Sequence, residues 1–508
     1  MNGSGNPSIL RSQRIWMLAA AAGLMPFANG RNTIALAAWL APIFLLRYTR
    51  SARRWYSLVI AWLLLFLAWL FQFRGMVQLP TVEIIGVALG ASFFFGFLPY
   101  LIDQGMNRRS AGFAATLVFP CAVASVDFLG SSFSPYGSWC VSGYSQYGNL
   151  PIMQLVSITG LYGISFLVSW LGSVINWAWE HEFDGRYVRR GATIFIGMLA
   201  GVYLVGSARL FWCEPPAGYQ RVAGIAAGPC QIFPSRSAKE CFWAGQPLSG
   251  ADLTSVKAAM AARAEELFAK SEQEVKAGAQ LVFWSETVAW VLRSDEPALI
   301  AKGSEFASRN HVYLGMAIAS LDPTQAKLSQ NKIVLIGPDG RELFEYWKAR
   351  PVPGGEKLMT ETNGNPMRYA DTTLGRVGAF ICFDLDFPSL VRKAGRDHAD
   401  IVIAPANDWA AIDPLHTQMA AFRAVENGCN LVRVTSHGRS LAVDYLGRPL
   451  GETDFFTGTK GIVAYVPTHG VHTLYARVGD LFAWLCLGSL IVLALISRHR
   501  RHTPAPYS

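Results

Sequence analysis

Charged side chains are scarce in this sequence. They make up 16% of its 508 residues, whereas soluble domains average about 25%. The deficit is uneven, because residues 213–474 carry 26 basic and 28 acidic side chains, while the rest of the chain carries 18 basic and 7 acidic ones. The net charge of +9 therefore belongs to the apolar parts of the chain, where it indicates a membrane protein and gives no sign of nucleic-acid binding.

Several metal and cofactor motifs are also missing. The eight cysteines form no C-x-x-C and no Cys/His group with zinc spacing. No P-loop or G-x-G-x-x-G follows a predicted strand. We therefore expect no metal and no cofactor. Cys230 and Cys241 could form a disulfide in an oxidising compartment, with two free thiols as the alternative.

Long apolar runs predict about eight transmembrane helices, since a helix needs roughly 20 apolar residues to cross a bilayer. The predicted spans are 14–28, 33–47, 55–73, 82–104, 111–128, 152–178, 192–211 and 478–496. All 18 basic residues outside 213–474 are arginine, and 14 of them fall on one side: Arg11, Arg14, Arg47, Arg50, Arg53, Arg54, Arg108, Arg109, Arg186, Arg189, Arg190, Arg498, Arg500 and Arg501. The positive-inside rule places that side, with both termini, in the cytoplasm.

The same assignment divides the chain into three parts. Residues 1–212 form an N-terminal transmembrane bundle, 213–474 an extracytoplasmic domain, and 475–508 a last transmembrane helix with a cytoplasmic tail. The alternative for the first span is a cleaved signal peptide, because Arg11 and Arg14 precede an apolar stretch that ends in small residues. A second apolar run follows almost at once, which favours a span.

Residues 213–474 alternate strand patterns with helical ones. The predicted helices are Asp252–Lys276 and Pro414–Glu426. The predicted strands are Arg221–Ala227, Gln280–Trp284, Val312–Ala319, Lys332–Ile336, Leu343–Trp347, Val377–Cys382, Ile401–Ala404, Leu431–Thr435, Ser440–Asp444 and Gly461–Val466. Strands separated by helices, with hairpins mixed in, predict a layered α/β sandwich and not a purely doubly wound sheet.

Three residues with complementary chemistry lie where predicted strands end. Glu286 follows the run LVFW, Lys348 follows LFEYW, and Cys382 follows VGAFI. A thiolate is a nucleophile, a carboxylate can take its proton, and an ammonium can stabilise an oxyanion. Taken singly, each residue is more typical of a structural role: a buried core cysteine, a capping or ion-paired glutamate and a solvated lysine.

Four segments resemble the nitrilase-type carbon–nitrogen hydrolase family, and they occur in the family's order. GAFICFDLDFP resembles the segment that delivers the nucleophile, here Cys382. WSET resembles the segment of the general base, here Glu286, and EYWKARPVPGGE that of the catalytic lysine, here Lys348. PANDW resembles the segment after the next strand. The resemblance implies an αββα sandwich with a Cys-Glu-Lys triad.

The resemblance also implies supporting residues and contains departures. The implied supporting residues are Glu356, a second carboxylate that positions the site, and Phe383, Asp384, Asn407 and Trp409. The departures are Ser285 for the usual Pro, Phe383 for Tyr, Asp384 for Glu, and Gly355 where an aromatic residue would precede Glu356. They leave the triad intact, but they bear on the acceptor and on the loop at 350–370.

The apolar parts narrow the resemblance to apolipoprotein N-acyltransferases, which fuse a membrane bundle and one C-terminal span to a nitrilase fold. GYSQ at 143–146, Gln154 and GLYGISFL at 160–167 resemble that family's sixth-helix region, and TLYARVGD at 473–480 resembles its last span. The resemblance implies a monomer in the bacterial inner membrane with a periplasmic catalytic domain. It would move an acyl chain from a phospholipid, through a thioester on Cys382, to the amine of diacylglyceryl-cysteine on an apolipoprotein.

Three other interpretations stay open. The chain could be a membrane-tethered nitrilase-type amidase, or an acyltransferase with a different acceptor. It could be a degenerate scaffold or lipid-binding protein without activity. A Cys–His protease would need His398, His416 or His437 beside Cys382, although none of the three lies in a protease-like signature.

Overall fold

The computed structural model describes residues 7–51, 54–107, 112–213, 218–364, 367–458 and 460–499. Arg53, Arg108, Arg109, Arg500 and Arg501, which contribute to the predicted charge asymmetry, lie outside these residues. The chain divides into two compact units. The first unit comprises Met1–Cys213 and Val478–Ser508, and the second unit comprises Glu214–Arg477.

The first unit is helical throughout its described part. Its helices before the second unit are α1 Pro7–Leu24, α2 Ala35–Ser51, α3 Trp55–Gln72, α4 Thr81–Ala91, α5 Leu98–Asn107, α6 Val118–Phe133, α7 Leu150–Met153, α8 Val156–Thr159, α9 Leu161–Glu180 and α10 Gly185–Trp212. The π-helical stretch Ser92–Phe97 joins α4 to α5 in one apolar segment. Long apolar runs form helices such as α3 and α9. A helix satisfies its backbone hydrogen bonds internally, as the interior of a bilayer requires.

Five helical segments of the described residues are long and apolar enough to cross a membrane. They are Trp55–Gln72, Thr81–Met106, Phe113–Phe133, Leu161–Glu180 and Gly185–Trp212. The helices at the other predicted spans, 14–28, 33–47 and 478–496, fall short in length or apolarity. The membrane bundle is therefore confirmed, whereas the count of eight spans stays a prediction.

The predicted span 152–178 is wrong in its bounds. The chain forms two short helices, α7 and α8, and then turns at Gly160, whose φ of 66 lies in the left-handed region. That conformation ends α8 and begins α9, because an α-helix cannot continue through it. The continuous helix is therefore Leu161–Glu180, and the turn precedes it.

A buried ion pair joins three helices of the first unit. Arg50 of α2 donates to both oxygens of Asp103 of α5, over 2.8 and 2.9 Å, and to Ser173 of α9 over 3.2 Å. The Asp103 side chain is fully buried. A buried charge in an apolar bundle is tolerated when it is paired and hydrogen-bonded, so this pair fixes the mutual register of α2 and α5.

The second unit contains two β-sheets and seven helices among its described residues. The helices are α11 Arg236–Trp243, α12 Gly250–Lys276, α13 Glu296–Asn310, α14 Gly355–Met359, α15 Pro388–Arg396, α16 Leu415–Asn427 and α17 Leu474–Val478, and α18 Leu481–His499 follows in the first unit. The strands are β1 Tyr219–Ile225, β2 Leu281–Trp284, β3 Ala289–Leu292, β4 Tyr313–Leu321, β5 Ser329–Ile336, β6 Glu342–Trp347, β7 Thr360–Glu361, β8 Tyr369–Thr372, β9 Gly375–Ala379, β10 Ile401–Asn407, β11 Asn430–Ser436, β12 Arg439–Val443, β13 Pro449–Asp454 and β14 Gly461–Pro467.

The two sheets have mixed strand directions. The first sheet has the order β14-β1-β2-β4-β5-β6, with β3 paired to β4 and β7 paired to β5. The second sheet has the order β13-β12-β11-β10-β9-β8. In each sheet three central strands are parallel, namely β1-β2-β4 and β9-β10-β11. The outer pairs of each strand order are antiparallel, such as the hairpin β5-β6 and the pair β14-β1.

The sheets pack face to face, with helices on their outer faces. A Cβ atom on Gly224 of β1 would lie 2.6 Å from Val434 of β11, so the two sheets approach closely at this glycine. On the outside of the first sheet, Trp284 of β2 donates to Ser271 of α12 over 3.0 Å. On the outside of the second sheet, Arg433 of β11 donates to Thr417 of α16. The predicted layered α/β sandwich is therefore confirmed.

Gly428 offers a test of how the end of α16 is built. Its φ is 70, and a Cβ atom there would lie 1.9 Å from the carbonyl oxygen of Val471. Gly428→Ala therefore adds left-handed strain and a backbone clash, and we expect the free energy of unfolding to fall by about 2 kcal/mol or more. The thermal midpoint of the purified protein measures the loss.

Gly364→Ala is the matched control. Gly364 has a φ of 67 and nothing within 4 Å of the added Cβ, so only the backbone strain of about 1 kcal/mol applies. Equal destabilisation by the two substitutions would contradict the close contact at Gly428.

Candidate active site

Strand ends of both sheets place the three predicted catalytic residues. Glu286 follows β2 and Lys348 follows β6, both of the first sheet. Cys382 follows β9 of the second sheet. All three are buried, with 3%, 1% and 4% of their surface exposed. The structure brings them together between the sheets, as the chemistry of the triad requires.

Lys348 lies between two carboxylates. Its Nζ donates to Glu286 Oε1 over 2.8 Å, and to Glu356 Oε1 and Oε2 over 2.7 and 2.9 Å. Burial acts to lower the pKa of Lys348, but the carboxylates of Glu286 and Glu356 outweigh it and raise the pKa well above its ordinary value. The lysine is therefore a fixed cation, which suits it to stabilise an oxyanion and not to act as a base.

Asn331 of β5 is a site residue that sequence reasoning missed. Its Nδ2 donates to Glu286 Oε1 over 2.7 Å and to Glu356 over 3.3 Å. The signal was the register of the β5-β6 hairpin, which pairs Lys332 with Trp347 and so places Asn331 beside Lys348. The backbone N–H of Lys348 also donates to the Asn331 carbonyl over 2.8 Å.

The short helix α14 brings Glu356 to the site. Glu356 Oε2 accepts from the backbone N–H of Val352 over 2.8 Å, and its side chain is 25% exposed. The Glu356 carboxylate thus links the C-terminal end of this loop to Lys348 at its start and to the backbone of Val352 in its middle. The replacement of an aromatic residue by Gly355 leaves this contact in place.

Cys382 begins a 3-10 turn, Cys382–Asp386, and does not lie on a strand. The predicted strand Val377–Cys382 is therefore wrong at its end, since β9 stops at Ala379 and Cys382 has a φ of 50. A left-handed non-glycine residue is strained and is common where a side chain is aimed at a functional site.

The surroundings of Cys382 favour the neutral form of its sulfur. Burial, followed by the nearby carboxylate of Glu286, raises the pKa of Cys382 well above its ordinary value, and Lys348 only partly opposes this. A thiol is a weak nucleophile, so a base must take its proton during attack. Glu286 and Asp408 are both carboxylates whose charges act on this sulfur.

Asp384 ties the cysteine turn to the lysine loop. Its Oδ2 accepts from the Tyr346 hydroxyl over 2.8 Å and from the Ile381 N–H over 3.0 Å, and its Oδ1 accepts from the Arg350 N–H over 2.8 Å. Tyr346 belongs to β6 and Ile381 to the segment after β9, so this fully buried carboxyl bridges the two sheets.

The other three supporting residues, Phe383, Asn407 and Trp409, differ in burial and in their contacts. Phe383 is buried and packs edge to face on Phe387, with ring centroids 5.2 Å apart. Asn407 is exposed and donates to Thr287 over 3.4 Å. Trp409 is partly buried, and its carbonyl accepts from Ile412 over 3.0 Å.

A cavity opens beside Glu286. Its volume is about 760 Å³, and its walls include Glu286, Thr287, Trp290, Asn407 and His437, together with the loop 227–236. A cavity of this size suits part of a large substrate. Cys230 lies on the same loop as an exposed free thiol, and Cys241 of α11 is also free.

Two family models match the chain. The model of the carbon-nitrogen hydrolase family matches residues 248–468, and that of the apolipoprotein N-acyltransferase N-terminal domain matches residues 20–174. Curated apolipoprotein N-acyltransferases are similar over most of the chain. That of Geobacter metallireducens is 26% identical, covering 84% of this chain and 82% of the relative. That of Gloeobacter violaceus is 27% identical, covering 94% of each.

The chain belongs to the apolipoprotein N-acyltransferase family. Its two halves match that family's membrane part and its hydrolase part in the right order. It is therefore an integral membrane protein and an acyltransferase with a nitrilase-like domain. A solved amidase from Nesterenkonia sp. is also similar, at 19% identity and a TM-score of 0.39, covering 52% of this chain and 94% of that one. That score is too low to bear on the family or its chemistry.

Family membership leaves a second group of buried residues beside the nucleophile unexplained. Asp408 Oδ1 lies 3.9 Å from Cys382 Sγ, and Arg433 and His416 contact the same carboxylate. Asp408 lies between Asn407 and Trp409 in the PANDW segment, of which the sequence analysis selected only those two. It directly follows β10 and is buried, whereas Asn407 is exposed and Trp409 is partly buried.

His416 is the histidine that lies near Cys382, but it does not make a Cys–His pair. Its Nδ1 is 2.8 Å from Asp408 Oδ1, and its Nε2 is 3.1 Å from Asp386 Oδ2. Both ring nitrogens therefore face carboxylates. His437 instead contacts Asn407 over 3.0 Å, and His398 packs on the ring of His472. The acyltransferase family and this geometry together contradict the protease interpretation.

Cys382, Asp408 and His416 have ligand atoms within 4.8 Å of one another, as a metal site would need. However, Arg433 NH2 lies 2.9 Å from both Asp408 oxygens and 2.9 Å from His416 Nδ1. A guanidinium thus occupies the position between the ligands that a cation would need. The donor set does not fit a metal ion while Arg433 is there.

Asp384 predicts a pH dependence of stability. Burial raises its pKa from 3.8 to about 7, so the folded protein keeps a proton that the unfolded chain loses near pH 4. The group's contribution to stability therefore falls as pH rises through this window. Between pH 5 and 8 we expect the native protein to lose about 3 kcal/mol relative to Asp384→Asn.

Thermal unfolding midpoints of both proteins from pH 5 to 8 measure this difference. Asp371→Asn is the control, since Asp371 is 73% exposed and pairs with Arg376 on the surface. Parallel curves for the native protein and Asp384→Asn would show that Asp384 is ionised throughout.

Proposed function

We propose that the chain transfers a fatty acyl chain from a phospholipid to the N-terminal amine of diacylglyceryl-cysteine on an apolipoprotein. The observation that carries this proposal is the meeting of Glu286 and Lys348 from one sheet with Cys382 from the other. The names of the relatives supply the acceptor, since each is an apolipoprotein N-acyltransferase. In this proposal Cys382 is the nucleophile, Glu286 the base and Lys348 the oxyanion stabiliser.

The first half-reaction makes a thioester. Glu286 takes the thiol proton of Cys382 as the sulfur attacks the ester carbonyl carbon of the phospholipid. The carbonyl oxygen becomes an oxyanion, and the Lys348 ammonium stabilises it. The ester C–O bond then breaks, Glu286 returns the proton to the leaving oxygen, and a lysophospholipid departs.

The second half-reaction makes an amide. The neutral α-amine of the acceptor attacks the thioester carbonyl, again with Lys348 beside the oxyanion. The C–S bond breaks, and the proton lost by the nitrogen passes through Glu286 to the sulfur, which restores the thiol. The two steps balance with these side chains alone.

Glu356 has a positioning role in this scheme. Its two oxygens hold the Lys348 ammonium, and Asn331 holds Glu286. When Glu286 is protonated in the reaction, Glu356 remains as the counter-charge of the lysine. The departures at Ser285 and Phe383 lie beside these groups and bear on which amine is accepted.

We predict that Cys382→Ala abolishes thioester formation. The purified protein is incubated with phosphatidylethanolamine vesicles, and intact mass is measured. The native protein should gain one acyl chain, and Cys382→Ala should lose acyl transfer to a diacylated lipopeptide by about 10⁴-fold or more, as for other nucleophile deletions. Cys241→Ser, which removes a free thiol outside the cavity beside Glu286, should behave like the native protein.

An acyl adduct that persists in Cys382→Ala would overturn the assignment of the nucleophile. An acyl adduct on the native protein without transfer to the lipopeptide would indicate an acyltransferase that uses a different acceptor. Release of ammonia from small amides would support the amidase alternative.

We further propose that the chain is a monomer in the bacterial inner membrane, with residues 213–474 in the periplasm, 1–212 and 475–508 as its membrane parts, and both termini in the cytoplasm. The arginine asymmetry supports this orientation. Since both substrates carry acyl chains, catalysis by this domain needs access to the outer leaflet.

Cys230 provides a test of this topology, because it is exposed and free. A membrane-impermeant maleimide should label Cys230 in intact spheroplasts, and Cys230→Ser should remove the label. A cysteine placed by His502→Cys in the Cys230→Ser background should react only after lysis. Labelling of the His502→Cys protein in intact spheroplasts would contradict the cytoplasmic C-terminus.

A further inference from the structure

Asp408 follows β10 of the second sheet and contacts the sulfur of Cys382, whereas Glu286 and Lys348 follow strands of the first sheet. Its Oδ1 lies 3.9 Å from Cys382 Sγ, and both residues are at most 5% exposed. The Arg433 NH2 group donates to both Asp408 oxygens over 2.9 Å. An anion is thus held against the thiol by a cation that is itself fully buried.

The contacts continue beyond Asp408 to two further buried residues. His416 of α16 places Nδ1 2.8 Å from Asp408, and its Nε2 is 3.1 Å from Asp386 in the cysteine turn. We call Asp386, Asp408, His416 and Arg433 the buried charge network. Its members come from the turn after β9, the end of β10, α16 and β11. Within the network, Asp408 contacts Cys382, Arg433 and His416, and His416 also contacts Asp386.

The electrostatic environment holds Asp408 as an anion and His416 as a cation at neutral pH. Burial acts to raise the pKa of Asp408, but Arg433 and His416 outweigh it and lower that pKa to about 2. Burial acts to lower the pKa of His416, but Asp386 and Asp408 outweigh it and raise that pKa to about 9. The anion Asp408 therefore lies 3.9 Å from the sulfur, and the cations Arg433 and His416 both contact that anion.

We propose that the buried charge network keeps the Cys382 sulfur as a thiol in the resting protein. Asp408 disfavours the thiolate directly, and protonated His416 offsets part of that effect. The network acts on the ionisation of the sulfur and takes no proton, because its only base near the sulfur is already paired with Arg433. The S–H bond then breaks only as Glu286 accepts the proton and the new S–C bond forms. This inference rests on the proposed nucleophilic role of Cys382.

The inference makes opposite predictions for two substitutions. Asp408→Asn removes a negative charge 3.9 Å from the sulfur and should increase the thiolate fraction. His416→Gln removes a positive charge within 4.8 Å of the sulfur and should decrease it. At effective protein dielectric constants each change corresponds to about a tenfold effect or more. A network with a merely structural role would not produce effects of opposite sign.

The experiment measures the rate at which iodoacetamide alkylates Cys382 at pH 7, in the full chain in detergent, by peptide-resolved mass spectrometry. Alkylation reports the thiolate fraction. We expect Asp408→Asn to react about tenfold faster than the native protein, and His416→Gln about tenfold slower. At pH 10, where the native His416 has lost its proton, the native protein and His416→Gln should react at similar rates.

Glu426→Gln is the matched control. Glu426 is a fully buried carboxylate on the same helix as His416, and it pairs with Arg423 over 3.0 Å. Its neutralisation should leave the alkylation rate of Cys382 within about twofold, since Coulomb effects weaken with distance. Equal rates for all four proteins, or shifts of the same sign in Asp408→Asn and His416→Gln, would overturn the proposal.

Cys429 reports unfolding in the same samples, because it is a buried free thiol of the same unit. If Asp408→Asn exposes Cys429, the His416→Gln arm alone decides, since unfolding cannot slow alkylation. Iodoacetamide needs no phospholipid. The opposite shifts would therefore persist if the proposed acyl transfer were wrong, and thioester formation would persist if only the network inference were wrong.

Discussion

The active site of the second unit depends on the pairing of one buried ammonium group, that of Lys348, with two carboxylates. Lys348 is 1% exposed, and an isolated cation at such a position would be unfavourable by several kcal/mol. Glu286 and Glu356 compensate it with three short contacts. Since Glu286 follows β2, Lys348 follows β6 and Glu356 begins α14, satisfying one charge positions two strand ends and a loop. Removing Lys348 would leave both carboxylates without their shared cation, so the positions of the three residues are interdependent.

A second constraint places the nucleophile against that cluster. Cys382 belongs to the other sheet, and packing of apolar faces alone would allow the sheets to slide. Asp384 prevents this locally, because it accepts from Tyr346 of the first sheet, from the Arg350 backbone and from Ile381 beside the nucleophile. Three donors on one fully buried carboxyl fix the cysteine turn relative to the lysine loop. The left-handed φ of Cys382 is tolerated because these bonds hold the turn on both sides.

The layered sandwich and the three catalytic candidates could be predicted because they depend on local patterns. Apolar runs such as LVFW and the start of VGAFI favour strands, and Glu286, Lys348 and Cys382 follow such runs closely. The predicted end of β9 was wrong because the 3-10 turn that follows depends on the tertiary contacts of Asp384, which no local sequence pattern reveals. Asn331, Asp408, His416 and Arg433 were missed as a group for a related reason. Each is an unremarkable polar residue in a strand or helix, and its role arises only from partners far away in the sequence. The roles of the triad and the eight spans stay predictions.

The charges around Cys382 explain why a thiol, a carboxylate and an ammonium can share one dry pocket. Lys348 pairs with the carboxylates of Glu286 and Glu356, and Arg433 and His416 pair with that of Asp408. A free thiolate would add a negative charge beside these carboxylates, which a low-dielectric site disfavours strongly. Transfer of the thiol proton to Glu286 moves one negative charge from carboxylate to sulfur and leaves the total unchanged. When sulfur attacks an ester, that charge moves on to the oxyanion, beside Lys348. The reaction therefore shifts one charge through a fixed set of counter-charges, so the pocket never has to accommodate a new one.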